Sequence, residues 1–136
     1  MDRMLVTFEL DDFALMPVRA HVKDAGIDLK TPVDVLVPAK GHAVVDTGVH
    51  INLPEGTFGM ITSKSGLNIN HGIQSVGTID SGYTGSIKVR VDNLNAEDYH
   101  FKAGDKITQL IVIPCITPGD GSSKERGDNG FGSTGK

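Results

Sequence analysis

The sequence predicts an all-β domain, a sandwich or barrel, followed by a glycine-rich C-terminal arm. Candidate strands recur roughly every 8–12 residues and are separated by glycine and proline. The clearest strand signal is residues 85–93, where apolar and polar residues alternate. Evidence for helices is poor, and only a short helical turn is expected near residues 65–70.

Each remaining strand is predicted from its local pattern. In chain order these candidates are residues 4–10, 33–37, 41–53, 57–62 and 107–113. Segment 41–53 is predicted as one strand with an imperfect period of two, and segment 107–113 is almost continuously apolar, as expected for a buried strand. In segment 85–93, Ile87, Val89 and Val91 are expected on one face of the strand, opposite Lys88 and Arg90.

Composition and charge limit the possible partners. The 136 residues suit one domain, with 38% hydrophobic and 22% charged residues. A net charge of −4 argues against a general nucleic-acid surface. No apolar stretch approaches the ~18 residues needed to span a membrane, and the N-terminus lacks a signal-peptide pattern. We therefore expect a cytoplasmic protein, in the host cytoplasm if a phage encodes it, with no nucleic-acid or membrane partner.

Cysteine and histidine give no metal-site pattern. The lone Cys115 lies in an apolar run and is interpreted as a buried small hydrophobe. The five histidines lack the spacing of metal ligands and are interpreted as structural or solvated.

The composition changes near Pro118, which divides the chain into a β domain over residues 1–118 and an arm over residues 119–136. Glycine, serine, aspartate and asparagine dominate the arm, so it is predicted to be flexible when empty. The arm also carries Arg126, Phe131 and small hydroxyl residues. A cation, hydroxyl donors and a flat ring suit a nucleotide, which indicates a lid.

Four polar, glycine-rich segments within the domain are not explained by strand patterns, and the arm is a fifth. They are residues 25–29, 63–67, 77–85, 104–110 and 126–136. Lys64 between two serines is either a solvated turn or an anion-binding loop. Asp80 is either a turn residue or a general base. Asp28 is either a local backbone cap or part of a charged site, and Gln109 is a candidate ligand contact because a buried amide needs partners.

Taken in order, these segments resemble the five motifs of the trimeric deoxyuridine 5'-triphosphate nucleotidohydrolases (dUTPases). They read Ala25-Gly26-x-Asp28-Leu29, Lys64-Ser65-Gly66-Leu67, Gly77-x-Ile79-Asp80-x-x-Tyr83-x-Gly85, Gly104-Asp105-Lys106-Ile107-x-Gln109-Leu110 and Arg126-Gly127-x-x-Gly130-Phe131-Gly132-Ser133-Thr134-Gly135. The resemblance implies a jelly-roll-like fold, a homotrimer with active sites shared between chains, and Mg²⁺-dependent hydrolysis of dUTP to dUMP and pyrophosphate. This activity would keep uracil out of DNA.

The resemblance also implies roles for individual residues. Asp80 would orient and deprotonate the attacking water, and Tyr83 would pack under the deoxyribose. Asp28 would reach the metal through a water or anchor a phosphate-binding cation. A hairpin between about Gly72 and Gly85 would read the uracil edge, and Phe131 would stack over the base. The full set of implied substrate-binding residues is Lys64, Ser65, Gly66, Gln74, Gly77, Thr78, Ile79, Tyr83, Gln109, Arg126, Phe131, Gly132, Ser133 and Thr134.

Three positions depart from the family pattern. Lys64 and Thr84 stand where arginine is usual or frequent, and Asn129 replaces a frequent glycine. Lysine keeps the charge of arginine but loses its bidentate fork. Two alternatives are a dCTP deaminase relative and a non-catalytic jelly-roll module. The arm argues against the first, and the Asp80–Tyr83 pair together with the arm argues against the second.

Overall fold

The structure is a computed structural model and describes residues 5–119 of the chain. Within these residues it contains ten strands and one short helix. They are β1 (Thr7–Leu10), β2 (Ile27–Lys30), β3 (Val35–Val37), β4 (His42–Asp46), β5 (Val49–Asn52), β6 (Thr57–Thr62), α1 (Ser65–His71), β7 (Ile73–Asp80), β8 (Lys88–Asn93), β9 (Tyr99–Phe101) and β10 (Lys106–Pro114). The predicted all-β class is therefore confirmed.

The strands form one large curled sheet and two small ones, and all the named strand pairs are antiparallel. The large sheet has the order β2-β10-β6-β7-β8-β4, while β1 pairs with β5 and β3 with β9. Fifteen buried hydrophobic residues form one core, in which aliphatic side chains such as Leu29, Val91 and Leu110 predominate. The aliphatic core and antiparallel sheets give a jelly-roll-like architecture.

Several predicted elements match the structure closely. Strand β6 has the predicted bounds, and β8 buries Val89 and Val91 while Lys88 and Arg90 are exposed. The expected helical turn is α1, which ends where Gly72 adopts a left-handed backbone with φ of 66°. Glycine pays no Cβ penalty in that conformation, so the chain can turn directly into β7.

The single strand predicted over residues 41–53 is wrong, because the chain divides into β4 and β5 at Thr47 and Gly48. Gly48 has φ of 68°, and its N–H donates to Asp46 Oδ1 at 2.9 Å. A Cβ at Gly48 would lie 2.6 Å from the Phe13 ring. The break lets β4 pair with β8 in the large sheet while β5 pairs with β1. Alternation survives a change of sheet, so periodicity alone did not locate the break.

Three of the polar segments are also better explained by strands than expected. Segments 25–29, 77–85 and 104–110 overlap β2, β7 and β10 respectively. Polar residues in these strands contribute to the site described below. Strand β9 was not predicted, and Cys115 is half-buried rather than fully buried. No helix within residues 5–119 is long and apolar enough to span a membrane.

Candidate functional site

Strand pairing brings the first, second and fourth motif segments to one level of the large sheet. Asp28 on β2 lies opposite Gln109 on β10, which lies opposite Thr62 on β6, which lies opposite Val76 on β7. Ser63 and Lys64 follow Thr62 directly and connect β6 to α1. Residues far apart in sequence therefore surround one point at the edge of the sheet.

Asp28 is the centre of a charged cluster at this point. Its carboxylate is 8% exposed and accepts hydrogen bonds from Lys64 Nζ at 2.5 Å, while Lys106 Nζ lies 3.2 Å from its second oxygen. Burial by itself raises the pKa of the Asp28 carboxyl. Hydrogen bonds from the two lysines and their charges outweigh burial, so the pKa lies below its ordinary value of 3.8. The cluster keeps one net positive charge, because two ammonium groups face one carboxylate.

The lysines are positioned by Asp28 but are not enclosed with it. Their side chains are 28% and 38% exposed, so the ammonium groups also face solvent. An ammonium group has three N–H donors, and one bond to Asp28 leaves donors for another anion. Two roles are implied for Asp28: reaching the metal through a water, or anchoring a phosphate-binding cation. This geometry favours the second. Lys106 lies within the fourth motif, yet sequence reasoning gave it no role because its partner becomes visible only through the β2–β10 register.

Gln109 fixes the loop that carries Lys64. Its side-chain Nε2 donates to the Ser63 carbonyl at 3.0 Å. Gly26, directly before β2, leaves room for this side chain, because a Cβ there would lie only 2.0 Å from Gln109 Oε1. A larger residue at position 26 would displace the Gln109 side-chain amide from this position. Gln109 thus acts on the loop by a contact within the chain, as well as being a candidate ligand contact.

A small network of hydroxyl groups holds the start of the loop that carries Lys64. Ser75 Oγ and Thr108 Oγ1 lie 2.6 Å apart, and the threonine hydroxyl donates to the Thr62 carbonyl at 3.0 Å. Ser63 Oγ accepts the Ser75 N–H at 3.0 Å. Ser75 and Thr108 are buried, so their hydroxyls need these partners. Sequence reasoning missed this network, because single serines and threonines in strands carry no distinctive pattern.

Ser65 and Gly66 lie in the first turn of α1, beside Lys64, and both are exposed. A Cβ at Gly66 would meet nothing within 4 Å, so the surface in front of the turn is open. Gln74 is exposed on β7, with its Nε2 at 3.5 Å from Asn68 Oδ1.

The third motif forms a separate turn at the end of β7. Asp80, the last residue of the strand, is exposed, and its carbonyl accepts the Tyr83 N–H at 3.0 Å. The Tyr83 side chain is buried, and its hydroxyl donates to the Ser86 carbonyl at 2.7 Å. A Cβ at Gly85 would lie 2.5 Å from that hydroxyl oxygen. The turn from Asp80 to Ser86 therefore closes around the tyrosine ring.

The turn connects the end of β7 to the segment that leads into β8, and these two segments do not pair with each other next to the turn. Strand β7 pairs with β8 over Ile73–Ser75, whereas Ile87 exchanges backbone hydrogen bonds with Thr47 and Val49 on the other side. Thr78 is exposed on the diverging part of β7, while the Ile79 side chain is 7% exposed in the core. Only the main chain of Ile79 can therefore face a ligand. The hairpin expected between Gly72 and Gly85 is thus a long strand with a turn at its far end.

One chain does not bring all the predicted site residues together. Asp80 lies four residues beyond Val76 along β7, which corresponds to roughly 13 Å from the level of the charged cluster. Within residues 5–119, no group of three histidine, cysteine, aspartate or glutamate side chains is arranged to hold a metal ion. The predicted contacts of Arg126, Phe131, Gly132, Ser133 and Thr134 lie outside the described residues.

The antiparallel jelly-roll fold and the lysine-bearing cluster define an all-β protein with a positively charged cluster at one edge of its large sheet. A family model described as dUTPase matches residues 13–135. The chain is 41% identical over 137 residues to the deoxyuridine 5'-triphosphate nucleotidohydrolase of Paramecium bursaria Chlorella virus 1, covering 96% of this chain and 97% of the relative. The chain belongs to the dUTPase family.

Solved structures support the same relationship. The Staphylococcus bacteriophage 80alpha dUTPase with dUPNHPP superposes with a TM-score of 0.79 at 28% identity, covering 97% of this chain and 99% of that one. A variant dUTPase from phage phi11 of S. aureus gives a TM-score of 0.78 at 26% identity, over 90% of this chain and 99% of that one. The latter is described as revealing the coordination of a structural Mg(II) ion.

Proposed function

We propose that the protein, as a dUTP nucleotidohydrolase, cleaves dUTP between the α- and β-phosphates with Asp80 as the catalytic base. Asp80 is an exposed residue at a strand end, and its main-chain carbonyl accepts a hydrogen bond from the Tyr83 N–H. It would orient a water and accept its proton as the water oxygen attacks the α-phosphorus. The bond from that phosphorus to the bridging oxygen breaks, and pyrophosphate leaves with the bond electrons.

The observation that carries this proposal is the lysine cluster around Asp28. A triphosphate needs several cationic donors, and Lys64 and Lys106 present ammonium groups on a fixed carboxylate. Because their positions are set before substrate arrives, little reorganisation is needed when the negative charge binds. Ser65 and the main chain at Gly66 lie beside Lys64 and complete the phosphate-binding loop.

Mg²⁺ fits this site as an ion carried by the triphosphate. Both carboxylate oxygens of Asp28 already face lysines, and the described residues offer no cage of protein carboxylates. Bound to phosphate oxygens, Mg²⁺ would supply positive charge and retain several waters, as this ion prefers. Asp28 would then have no direct contact with the ion; it would hold the lysines that bind the phosphate groups.

The uracil and deoxyribose would bind at the turn end of β7. Main-chain groups of Gly77, Thr78 and Ile79 lie on the part of the strand that diverges from β8. Tyr83 closes the turn there, and its fixed ring leaves no room for a 2'-hydroxyl in the proposed pose. Arg126, Phe131, Gly132, Ser133 and Thr134 are proposed to cover the base and outer phosphates, by analogy with the fifth family motif.

We propose that a homotrimer unites the two halves of the site. The roughly 13 Å between the cluster and Asp80 along β7 supports a site whose halves come from different chains. The test mixes two inactive variants by refolding them together: Asp80→Asn, and the double variant Lys64→Ala with Lys106→Ala. If different chains supply the two halves, about a quarter of the sites in an equal random mixture contain both intact halves, and activity returns.

The same assay tests the substrate. Pyrophosphate release from dUTP should greatly exceed release from dTTP, dCTP and UTP. Mixed variants that remain as inactive as their parents would contradict shared sites. Equal hydrolysis of UTP and dUTP would contradict the role of Tyr83.

A further inference from the structure

His50 links the N-terminal segment to the turn that carries Tyr83. It lies on β5 between buried Val49 and Ile51, with its ring 27% exposed. Its Nδ1 lies 2.8 Å from the Thr84 carbonyl oxygen, and its Nε2 lies 3.0 Å from Asp11 Oδ1. Both partners are acceptors, so both ring nitrogens must donate. Only the imidazolium form of histidine does this.

The groups around His50 favour a positive charge. Glu9 lies directly opposite on β1, Asp11 follows that strand, and Asp46 lies on the β4 side, where it faces Lys88 of β8. The hydrogen bond to the Thr84 carbonyl raises the pKa of His50 most. Burial lowers it, but the bond and charge of Asp11 and the charge of Glu9 raise it further, so the pKa lies above its ordinary 6.5.

The contact with Thr84 falls at the centre of the substrate-binding turn. Thr84 lies between Tyr83 and Gly85, which are in close contact within the turn. The start of the turn is fixed by the Tyr83 N–H bond to Asp80, and its end by the Tyr83 hydroxyl bond to Ser86. His50 holds the middle from outside, and it is the contact in this arrangement that changes charge near neutral pH.

We propose that His50, in its imidazolium form, is a positioning residue that holds the Asp80–Ser86 turn for nucleotide binding and makes that binding sensitive to pH. This inference rests on the proposed function, because the turn is taken to bind dUTP. Deprotonation removes one donor and sets a lone pair against either Asp11 or the Thr84 carbonyl. The turn then loses its outer support, and affinity for nucleotide falls while the chemical step is little changed.

The direction of the pH effect follows from the raised pKa. The support is fully present below pH 6.5, the value for an unfolded histidine, and is lost as pH rises through the higher folded value. KM for dUTP should therefore increase towards alkaline pH by roughly two- to fivefold, the range expected for a half-exposed ion pair. The substrate phosphate also titrates near pH 6, so only the difference between variants is informative.

The test compares His50→Gln with a control, His42→Gln, at an exposed position on β4. KM and kcat for dUTP are measured from pH 5.5 to 8.5, and the ring protonation of each histidine is followed by NMR. We expect His50→Gln to show a higher KM than the unmodified protein at acidic pH, where the imidazolium is present, and a similar KM at alkaline pH, so that the variant loses the extra pH dependence. The control variant should keep the KM and the pH dependence of the unmodified protein. For both variants, kcat should stay within about twofold of the unmodified value.

NMR separates this proposal from the proposed function. Protons on both His50 nitrogens at pH 6.5, with a pKa that falls in Asp11→Asn, would support the imidazolium bridge even in a protein that did not hydrolyse dUTP. A His50 pKa at or below 6.5 would overturn the proposal. So would a His50→Gln variant that is folded and has unchanged KM at pH 6.

Discussion

The two ends of the candidate site differ in the groups that form them: charged side chains at one end and main-chain groups at the other. Around Asp28, charged side chains from β2, β10 and the loop after β6 meet in an ion cluster that is still open to solvent. Around Asp80, the main chain turns about a buried tyrosine and is held chiefly by bonds to carbonyl oxygens. One end presents positive charge on lysine ammonium groups that Asp28 holds, whereas the other presents fixed backbone geometry.

This difference suits the two parts of a nucleotide. A triphosphate is highly charged, so ammonium groups that Asp28 holds in place can bind it with little reorganisation. A pyrimidine is rigid, and discrimination against a related base requires groups that cannot adjust. We expect substitutions at the Asp28 end to change phosphate affinity gradually. Substitutions at the Asp80 end should instead change turnover and selectivity sharply.

The largest effect is expected from Asp80→Asn. The amide cannot accept the proton of the attacking water, so turnover should fall by roughly 10²–10⁴-fold. Single-turnover hydrolysis of dUTP and equilibrium binding of a non-hydrolysable analogue measure the two steps separately. Glu55→Gln, at an exposed loop position between β5 and β6, is the matched control and should be fully active. Retained turnover in Asp80→Asn would refute the base assignment.

Gly85→Ala should produce the next largest effect, because it disrupts the rigid turn directly. The added methyl would lie 2.5 Å from the Tyr83 hydroxyl, so either the ring or the main chain must shift. A displacement of this kind should lower kcat/KM for dUTP by roughly 10²-fold, since misplacing a reacting group is costly. Glu55→Ala, at an exposed loop position between β5 and β6, serves as the control. Equal activity of the two variants would mean that the turn is not part of the site.

Asp28→Asn should have a smaller effect, divided between stability and binding. The lysines lose their buried partner but remain close to water, so we expect the free energy of unfolding to fall by about 1–3 kcal/mol. KM for dUTP should rise because Lys64 and Lys106 lose their fixed positions, while kcat changes little. Chemical denaturation and steady-state kinetics measure the two consequences. A large loss of kcat with unchanged KM would contradict the anchoring role.

The smallest effect concerns acid stability. The pKa of Asp28 is lowered on folding, so its contribution is present above pH 3.8 and is lost as pH falls through the lower folded value. Unfolding free energy measured between pH 5 and 2.5 should therefore fall more steeply in the unmodified protein than in Asp28→Asn. Parallel curves would show that the ion cluster does not contribute to folding.

The sequence was sufficient for the fold class and for most of the cluster. Strand β8 was found because it is solvated on one face, which leaves a clean alternation, and Asp28, Lys64 and Gln109 were found through their motifs. Three other contacts depend on strand register. They are the contact of Lys106 with Asp28, the close approach of Gln109 to Gly26, and the Ser75–Thr108 hydroxyl pair. Register is a property of pairs of distant segments, and no local pattern in one strand encodes it. The break at Gly48 was missed because turn and strand share the same alternation there.

The length of β7 has a consequence for how the enzyme responds to its own concentration. Strand β7 has eight residues, of which Asp80 is the last. In the proposed shared site, the lysine cluster of one chain therefore acts with the Asp80 of another. On dilution below the dissociation constant of the assembly, specific activity should therefore fall while each chain keeps its fold. Catalytic output would then scale more steeply than linearly with the amount of protein made.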